Sequence, residues 1–318
     1  MDAGETQRPG RAAPSGPKAA PTGPPSGGTG AAGVSLAVAV LLLGAKLLAW
    51  RWTGSTAVLS DALESIVNVV AAGFALWSLR LANEPADLDH PYGHGKIEFV
   101  SAAFEGGLVF LAGLVIAQEA VQALIRGSEL ERLGEGIAIT GAAAVVNLLL
   151  GAWLVRVGRK SGSLALVADG KHVLSDVWTS AMTVLALVLV KWSGQAWLDP
   201  AVALVAAANL LRIGGKVVLE AVHGIMDVAD PEDLERVTQA LSTIESPRFV
   251  GWSKLRSRHQ GRFHHVDLTI YVPGEISVEE AHEVADEVER VVREALGEAQ
   301  VICHIEPARL MNEARSGL

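Results

Sequence analysis

Six apolar blocks dominate the first two thirds of the chain, at about residues 32–52, 55–81, 96–125, 136–157, 163–191 and from 199 onward. Each approaches or exceeds the ~20 residues that a helix needs to cross ~30 Å of hydrocarbon. Backbone in lipid has to satisfy its own hydrogen bonds, and a helix does so within one segment. The blocks therefore predict a membrane all-α bundle of six transmembrane helices. Half of the 318 residues are hydrophobic, and it is their clustering into blocks that excludes an ordinary soluble core. The formal net charge of −9 argues against a nucleic-acid partner. A single cysteine, Cys303, rules out an internal disulfide and fits a reducing compartment.

Two of the blocks carry the same polar pattern. Residues 53–68 read TGSTAVLSDALESIVN and residues 161–176 read SGSLALVADGKHVLSD. Aligned without a gap, they place Asp61, Glu64 and Asn68 in register with Asp169, His172 and Asp176. Steps of three and four put each trio on one helix face. Ionisable groups are costly in a membrane helix and face a partner or line a path. Glu64, Asn68, His172 and Asp176 together offer two carboxylates, an amide oxygen and an imidazole. Such a set suits one divalent cation in near-tetrahedral coordination, its charge neutralised by the two acids. His172 can trade a proton for the ion near neutral pH. Asp61 and Asp169 are expected one turn away, nearer the outer end, orienting ligands or lining the entrance.

Residues 1–30 are rich in Gly, Pro, Ala and Ser and are expected to form a disordered tail without a cleaved signal peptide. Lys46 is expected to snorkel to the interface beside Trp50 and Arg51. Arg80, Lys96, Arg156, Arg159, Lys160, Arg212 and Lys216 cluster on one side of the membrane, against Arg51, Arg126, Arg132 and Lys191 on the other. The asymmetry predicts cytoplasmic N- and C-termini in a cell (inner) membrane. The two trio helices then run in opposite directions, as in an inverted-repeat transporter. The sixth block opens on Asp199-Pro200, a cap followed by Pro at the first helical position.

The transport domain is expected over 31–227, a soluble domain over 228–308 and a tail over 309–318. In the soluble part, 231–245 and 277–296 read as amphipathic helices, with Asp230 and the Ser277/Glu280 box as caps. Residues 250–257, 263–272 and 300–306 alternate like strands. The order αββαβ predicts a small α+β module with two helices on one face of a sheet.

Two further donor groups stand out. The loop segment DLDHPYGHGK supplies Asp87, His90 and His94, gathered by its Pro and Gly residues. The soluble module carries Asp267, His282, His304 and Glu306, of which His304 and Glu306 alternate along one strand face. Cys303 points to the opposite face and reads as core.

LSDALESIVN, HPYGHGKIE, ADGKHVLSD and ICHIEP together resemble the cation diffusion facilitator family of metal-ion transporters, over roughly residues 31–307. The resemblance implies a homodimeric exporter of Zn²⁺ or a similar divalent ion, driven by inward proton movement and carrying no other cofactor. It also implies a ferredoxin-like C-terminal domain that dimerises, with regulatory metal at Asp267, His282, His304 and Glu306. An ion pair between Lys96 and Asp227 follows from the same likeness. The sequence departs from the family's usual second-span ligands by carrying Glu64 and Asn68, which leaves the ion open among Zn²⁺, Fe²⁺, Co²⁺, Mn²⁺ and Cd²⁺. Ser253 stands where some members place a His ligand. A rival reading is a membrane-anchored metal sensor or assembly scaffold that does not transport. An enzyme is not expected, because neither an HExxH pair nor a nucleophile with its base lies on the spans.

Overall fold

The computed structural model describes residues 28–53, 56–126, 137–195, 197–260 and 263–311. Residues 1–27 of the expected N-terminal tail and most of the C-terminal one lie outside these residues, while 28–30 already belong to the first helix. Six long helices come first: α1 (Gly28–Thr53), α2 (Thr56–Ala82), α3 (Ile97–Arg126), α4 (Ile137–Ser161), α5 (Leu164–Ser193) and α6 (Leu198–Ile225). Among the described residues, four stretches are long and apolar enough to cross a membrane: Gly28–Leu48, Ser65–Ala82, Ile97–Ile125 and Leu198–Ile225. α4 and α5 pack among them and are 25 and 30 residues long. Exposed Trp52, Trp192 and Trp197 gather at one end of the bundle, as interfacial tryptophans do.

Close helix approach depends on small residues. A Cβ on Gly214 of α6 would lie 2.6 Å from the Phe110 backbone nitrogen of α3. One on Gly106 of α3 would lie 2.9 Å from Val217 of α6. These contacts run α3 and α6 antiparallel along most of their length. A Cβ on Gly28 would sit 3.7 Å from Leu166 and 3.9 Å from Leu79. The first turn of α5 therefore lies beside the last turn of α2, and the two trio helices are antiparallel as expected.

Two details differ from expectation. Lys46 turns inward, 8% exposed, and donates to Ser65 Oγ of α2 at 2.7 Å. A partner inside the bundle holds it there in place of the interface. The start of α6 is capped by Trp197 without a side-chain bond, and Asp199 falls inside its first turn.

The second part comprises α7 (Pro231–Leu241), β1 (Gly251–Gln260), β2 (Phe263–Val272), α8 (Val278–Leu296) and β3 (Ala299–Pro307), closed by a 3₁₀ turn at Ala308–Leu310. Asp230 accepts from Glu232 N at 2.9 Å with Pro231 at the start of α7, and Ser277 and Glu280 form the expected capping box. The sheet order is β1-β2-β3, with β1 antiparallel and β3 parallel to β2. Val266, Leu268, Ile270 and Val272 alternate onto one face and form a core with Val284, Val288 and Val292 of α8 and Val237 of α7. The parallel β2–β3 pair requires a crossover, and α8 supplies it.

The two parts meet where the α2–α3 loop touches the β1–β2 hairpin. Arg258 of β1 lies 5.1 Å from the Tyr92 ring centroid, and Tyr92 meets His265 edge-on at 5.8 Å. Phe99 at the start of α3 contacts His259 at 6.0 Å.

Candidate metal sites

α2 and α5 bring their polar stripes together. Asn68 Nδ2 donates to Asp176 Oδ2 at 2.6 Å, and His172 Nε2 lies 3.0 Å from Asn68 Oδ1. With Asn68 Oδ1 as acceptor, Nε2 is the protonated nitrogen of His172. One amide thus joins the imidazole to the carboxylate. Glu64 lies one turn before Asn68 on α2, but its side chain and that of Asp61 fall outside the described residues. Thr179 and Ser180 turn their hydroxyls back to the Asp176 carbonyl, each at 2.9 Å, which satisfies them within α5.

Asp169 is placed otherwise than expected. Because α5 starts beside the end of α2, Asp169 lies on the sheet-domain side of His172, the reverse of an outer position. It is 1% exposed and hydrogen-bonds Ser35 of α1. Opposite stands Glu105 of α3, fully buried, with neither carboxylate oxygen hydrogen-bonded among the described residues. Glu98, also on α3, accepts from Ser163, the N-cap of α5. Lys46, Glu98 and Glu105 were not singled out in the sequence as inward-facing groups. The available signal was the one that found the trios: an ionisable residue inside an apolar helix.

The loop cluster forms. One oxygen or ring nitrogen from each of Asp87, His90 and His94 lies within 4.8 Å of the others. His90 Nδ1 is 3.2 Å from Asp87 Oδ1 and His94 Nε2 is 3.4 Å from Asp87 Oδ2. Asp87 Oδ1 accepts from the backbone of His90 at 2.6 Å and of Asp89 at 2.9 Å. The His90 amide above all, with the Asp89 amide adding to it, holds the Asp87 carboxyl below its usual range. An ionised acid and two imidazoles make a three-donor cation site with room for water or a fourth ligand.

Lys96 and Asp227 pair as the family likeness implies. Lys96 Nζ is 2.9 Å from Asp227 Oδ1, and Arg258 of β1 reaches Oδ2 at 3.3 Å. Partial burial acts to raise the Asp227 carboxyl, but Lys96 and Arg258 outweigh it and hold the carboxyl low. Asp227 adopts the left-handed conformation, φ 57°, which an aspartate tolerates where the chain turns out of α6.

The sheet-domain quartet does not gather within one chain. In the β2–β3 register, Asp267 pairs with Ile302, Thr269 with His304 and Tyr271 with Glu306, so these residues share one sheet face. His304 contacts Glu306 at 3.3 Å. His282 lies on α8, which packs on the opposite face, and pairs with Asp286 at 3.8 Å. Strand alternation places the sheet between His282 and the other three. Cys303 packs into the core as expected, and burial pushes its thiol up to about 12. His264 is a packing residue, paired with Asp233 of α7 at 2.9 Å; burial, outweighing that acid, holds its imidazole low.

A bundle of apolar helices that buries imidazole, amide and carboxylate against one another, with a three-donor cluster at its mouth, defines a membrane protein that handles cations. Residues 32–226 match the cation efflux transmembrane domain, and residues 229–308 match the cation efflux protein cytoplasmic domain. The chain belongs to the cation diffusion facilitator family and is an integral membrane transporter for divalent metal efflux, a family without enzymatic activity. An uncharacterized transporter of Synechocystis sp. is 36% identical over 276 residues, covering 86% of this chain and 88% of its own. The cation-efflux pump FieF of Klebsiella pneumoniae is 31% identical over 288 residues, covering 90% of this chain and 94% of its own. The metal-bound C-terminal domain of the CzcD transporter from Thermotoga maritima is 22% identical, covers 24% of this chain and 87% of its own, and has a TM-score of 0.22.

Proposed function

We propose that the chain exports a divalent cation, Zn²⁺ first and Fe²⁺, Co²⁺, Mn²⁺ or Cd²⁺ as alternatives, from the cytoplasm in exchange for protons. The observation that carries this reading is the Asn68 bridge between His172 and Asp176, which brings donors of two antiparallel helices to one point. In this reading all six long helices cross a cell membrane, both termini are cytoplasmic, and the sheet domain is a ferredoxin-like module through which two chains pair.

The arriving ion takes the place of the bridging hydrogen bond, and the Asn68 amide keeps both its protons. Asp176 Oδ2 exchanges its bond from Asn68 for the cation, and Asn68 can offer Oδ1. His172 binds as neutral imidazole, its remaining proton on Nδ1 so that Nε2 is free to ligate, and any proton it holds beyond that leaves as the ion arrives. Glu64, one turn away on α2, supplies the second negative charge. Alternation between the two membrane faces follows from tilting α2 and α5 relative to the rest. The loop cluster of Asp87, His90 and His94 is a second binding place at the cytoplasmic mouth, and Asp61 and Asp169 support the central site.

The test is the double change His172→Ala with Asp176→Ala. Metal uptake into proteoliposomes should fall to the protein-free level while the variant still purifies as a single dimeric species. Retained flux refutes the site. Metal binding by the isolated 228–318 fragment, measured beside flux by the full chain, separates export from the sensor reading.

A further inference from the structure

A cavity of about 350 Å³ opens between the end of α4, the start of α5 and the second half of α6. Arg159, Lys171, Arg212 and Lys216 line it, with Glu220 as the single acid. Lys171 and Lys216 both turn to Glu220, at 3.3 and 3.7 Å, so its one negative charge is shared between two ammonium groups. Arg159 and Arg212 have no carboxylate partner among the described residues; Arg212 only reaches Asn209 Oδ1, at 3.5 Å. Four cations and one anion leave three formal positive charges around the cavity. Val167 and Ile213 complete its wall with apolar surface.

Its depth fixes what it can meet. Trp197, exposed at the start of α6, marks the tryptophan-bearing interface. At 1.5 Å per residue, Arg212 lies ~22 Å and Lys216 ~28 Å further along the helix, close to the ~30 Å that separates the two headgroup layers. The cavity therefore opens at the opposite headgroup layer, on the side that carries the sheet domain. A general positive bias at that side spreads charges over loops. Here side chains from three helices converge on one concavity, and Glu220 offsets one of its four positive charges.

We infer that this cavity is a binding site for the phosphate headgroup of an anionic phospholipid, with the acyl chains running toward the apolar surface of α5 and α6. Arg159 and Arg212 take the phosphate oxygens, since a planar guanidinium matches them with paired N–H bonds. Lys171 and Lys216 add unspecific charge and are held in place by Glu220. The inference rests on the reading that all six long helices span the bilayer. It is independent of the metal site, whose residues lie on other faces of α2 and α5.

The experiment uses the full-length protein in detergent, with lipid retention read by native mass spectrometry. Phosphatidylglycerol should be retained in preference to phosphatidylcholine. The pair R159Q and R212Q should lower phosphatidylglycerol retention on the order of 30-fold, from two charges lost near a membrane surface. R159K with R212K should retain more than the glutamine pair and less than the unaltered chain, because charge remains but the paired N–H bonds are lost. If the glutamine pair fails to fold, the exposed single change K216Q takes its place, with roughly a 5-fold loss expected. Equal retention of both lipids, or undiminished phosphatidylglycerol in the charge-removing variants, overturns the site. Displacement of the lipid by inorganic phosphate at equal concentration also overturns it, because the ligand is then a free anion. The His172→Ala, Asp176→Ala protein should lose flux yet hold its lipid, so the two readings fail separately.

Discussion

Asn68 of α2 donates to Asp176 of α5 at 2.6 Å, while its carbonyl oxygen faces His172 at 3.0 Å. An amide can give a hydrogen bond to an acid and take one from an imidazole at once without changing its protonation. Asn68→Asp removes the donor and sets two carboxylates against each other, which favours a cation between them. The metal-free protein should lose thermal stability and regain more of it on adding metal than the unaltered chain does. The order of competition among Zn²⁺, Fe²⁺, Mn²⁺, Co²⁺ and Cd²⁺ in vesicle uptake should change. An identical order would place Asn68 outside the coordination shell.

Asp87, His90 and His94 already face one another, and Asp87 is held ionised by backbone amides. Little rearrangement is needed for an ion to bind. His90→Ala and His94→Ala should each reduce bound Zn²⁺ by about one ion per chain in elemental analysis. The affinity loss should be at least the ~10-fold that removal of an outer partner costs at metal sites. Metal content that stays the same in both variants removes the loop from the set of binding places.

Asp227 joins Lys96 of α3 to Arg258 of β1, and so ties the helical bundle to the sheet domain. Its carboxyl is held below the ordinary carboxylate value. A depressed acid contributes stability above the unfolded value, near pH 3.9, and loses it as pH falls through the lower folded value. Lys96 is 39% exposed and Asp227 and Arg258 31%, so solvent screens the pairs and the effect should be at most about 1 kcal/mol. Asp227→Asn should therefore lower the melting temperature of the full chain at pH 7, and the gap should close once the pH has fallen through the lowered carboxyl value. A gap that persists in acid would assign the loss to hydrogen-bond geometry rather than to charge, since asparagine tolerates φ 57° as aspartate does.

What the sequence made legible follows from period and cost. The strands over 263–272 and 300–306 appear as β2 and β3 within a residue, because each buries alternate positions against α8. The trios were visible because polar groups in apolar helices are expensive, and the structure joins Asn68, His172 and Asp176. Lys46, Glu98 and Glu105 carried the same signal without a repeat to draw notice to it. The aligned repeat puts Asp169 at the same end as Asp61, whereas the two helices run in opposite directions and carry it toward the sheet domain. The family resemblance sets His282 beside His304, yet the sheet stands between them. β1 extends past its expected end to Gln260, beyond an irregularity between Ser253 and Arg256 where Lys254 has φ 51°. A shift of register of that kind hides the alternation on which the reading depended.

Neighbouring glycines of α6 separate packing from helix propensity. A Cβ at Gly214 would lie 2.6 Å from Phe110 N and 2.7 Å from Gly106 O, both main-chain atoms of α3 that cannot turn aside. A Cβ at Gly215 would meet only the Phe110 ring, at 3.7 Å, an ordinary contact. Gly214→Ala has to push α3 away from α6 over a stretch that also includes Gly113 and Leu210, at a cost of about 1–3 kcal/mol. Gly215→Ala keeps the packing and gains up to about 1 kcal/mol from replacing glycine within a helix. Thermal unfolding of the two variants in detergent should move in opposite directions from the unaltered chain. If Gly214→Ala proved as stable as Gly215→Ala, the α3–α6 interface would be looser than its backbone spacing states.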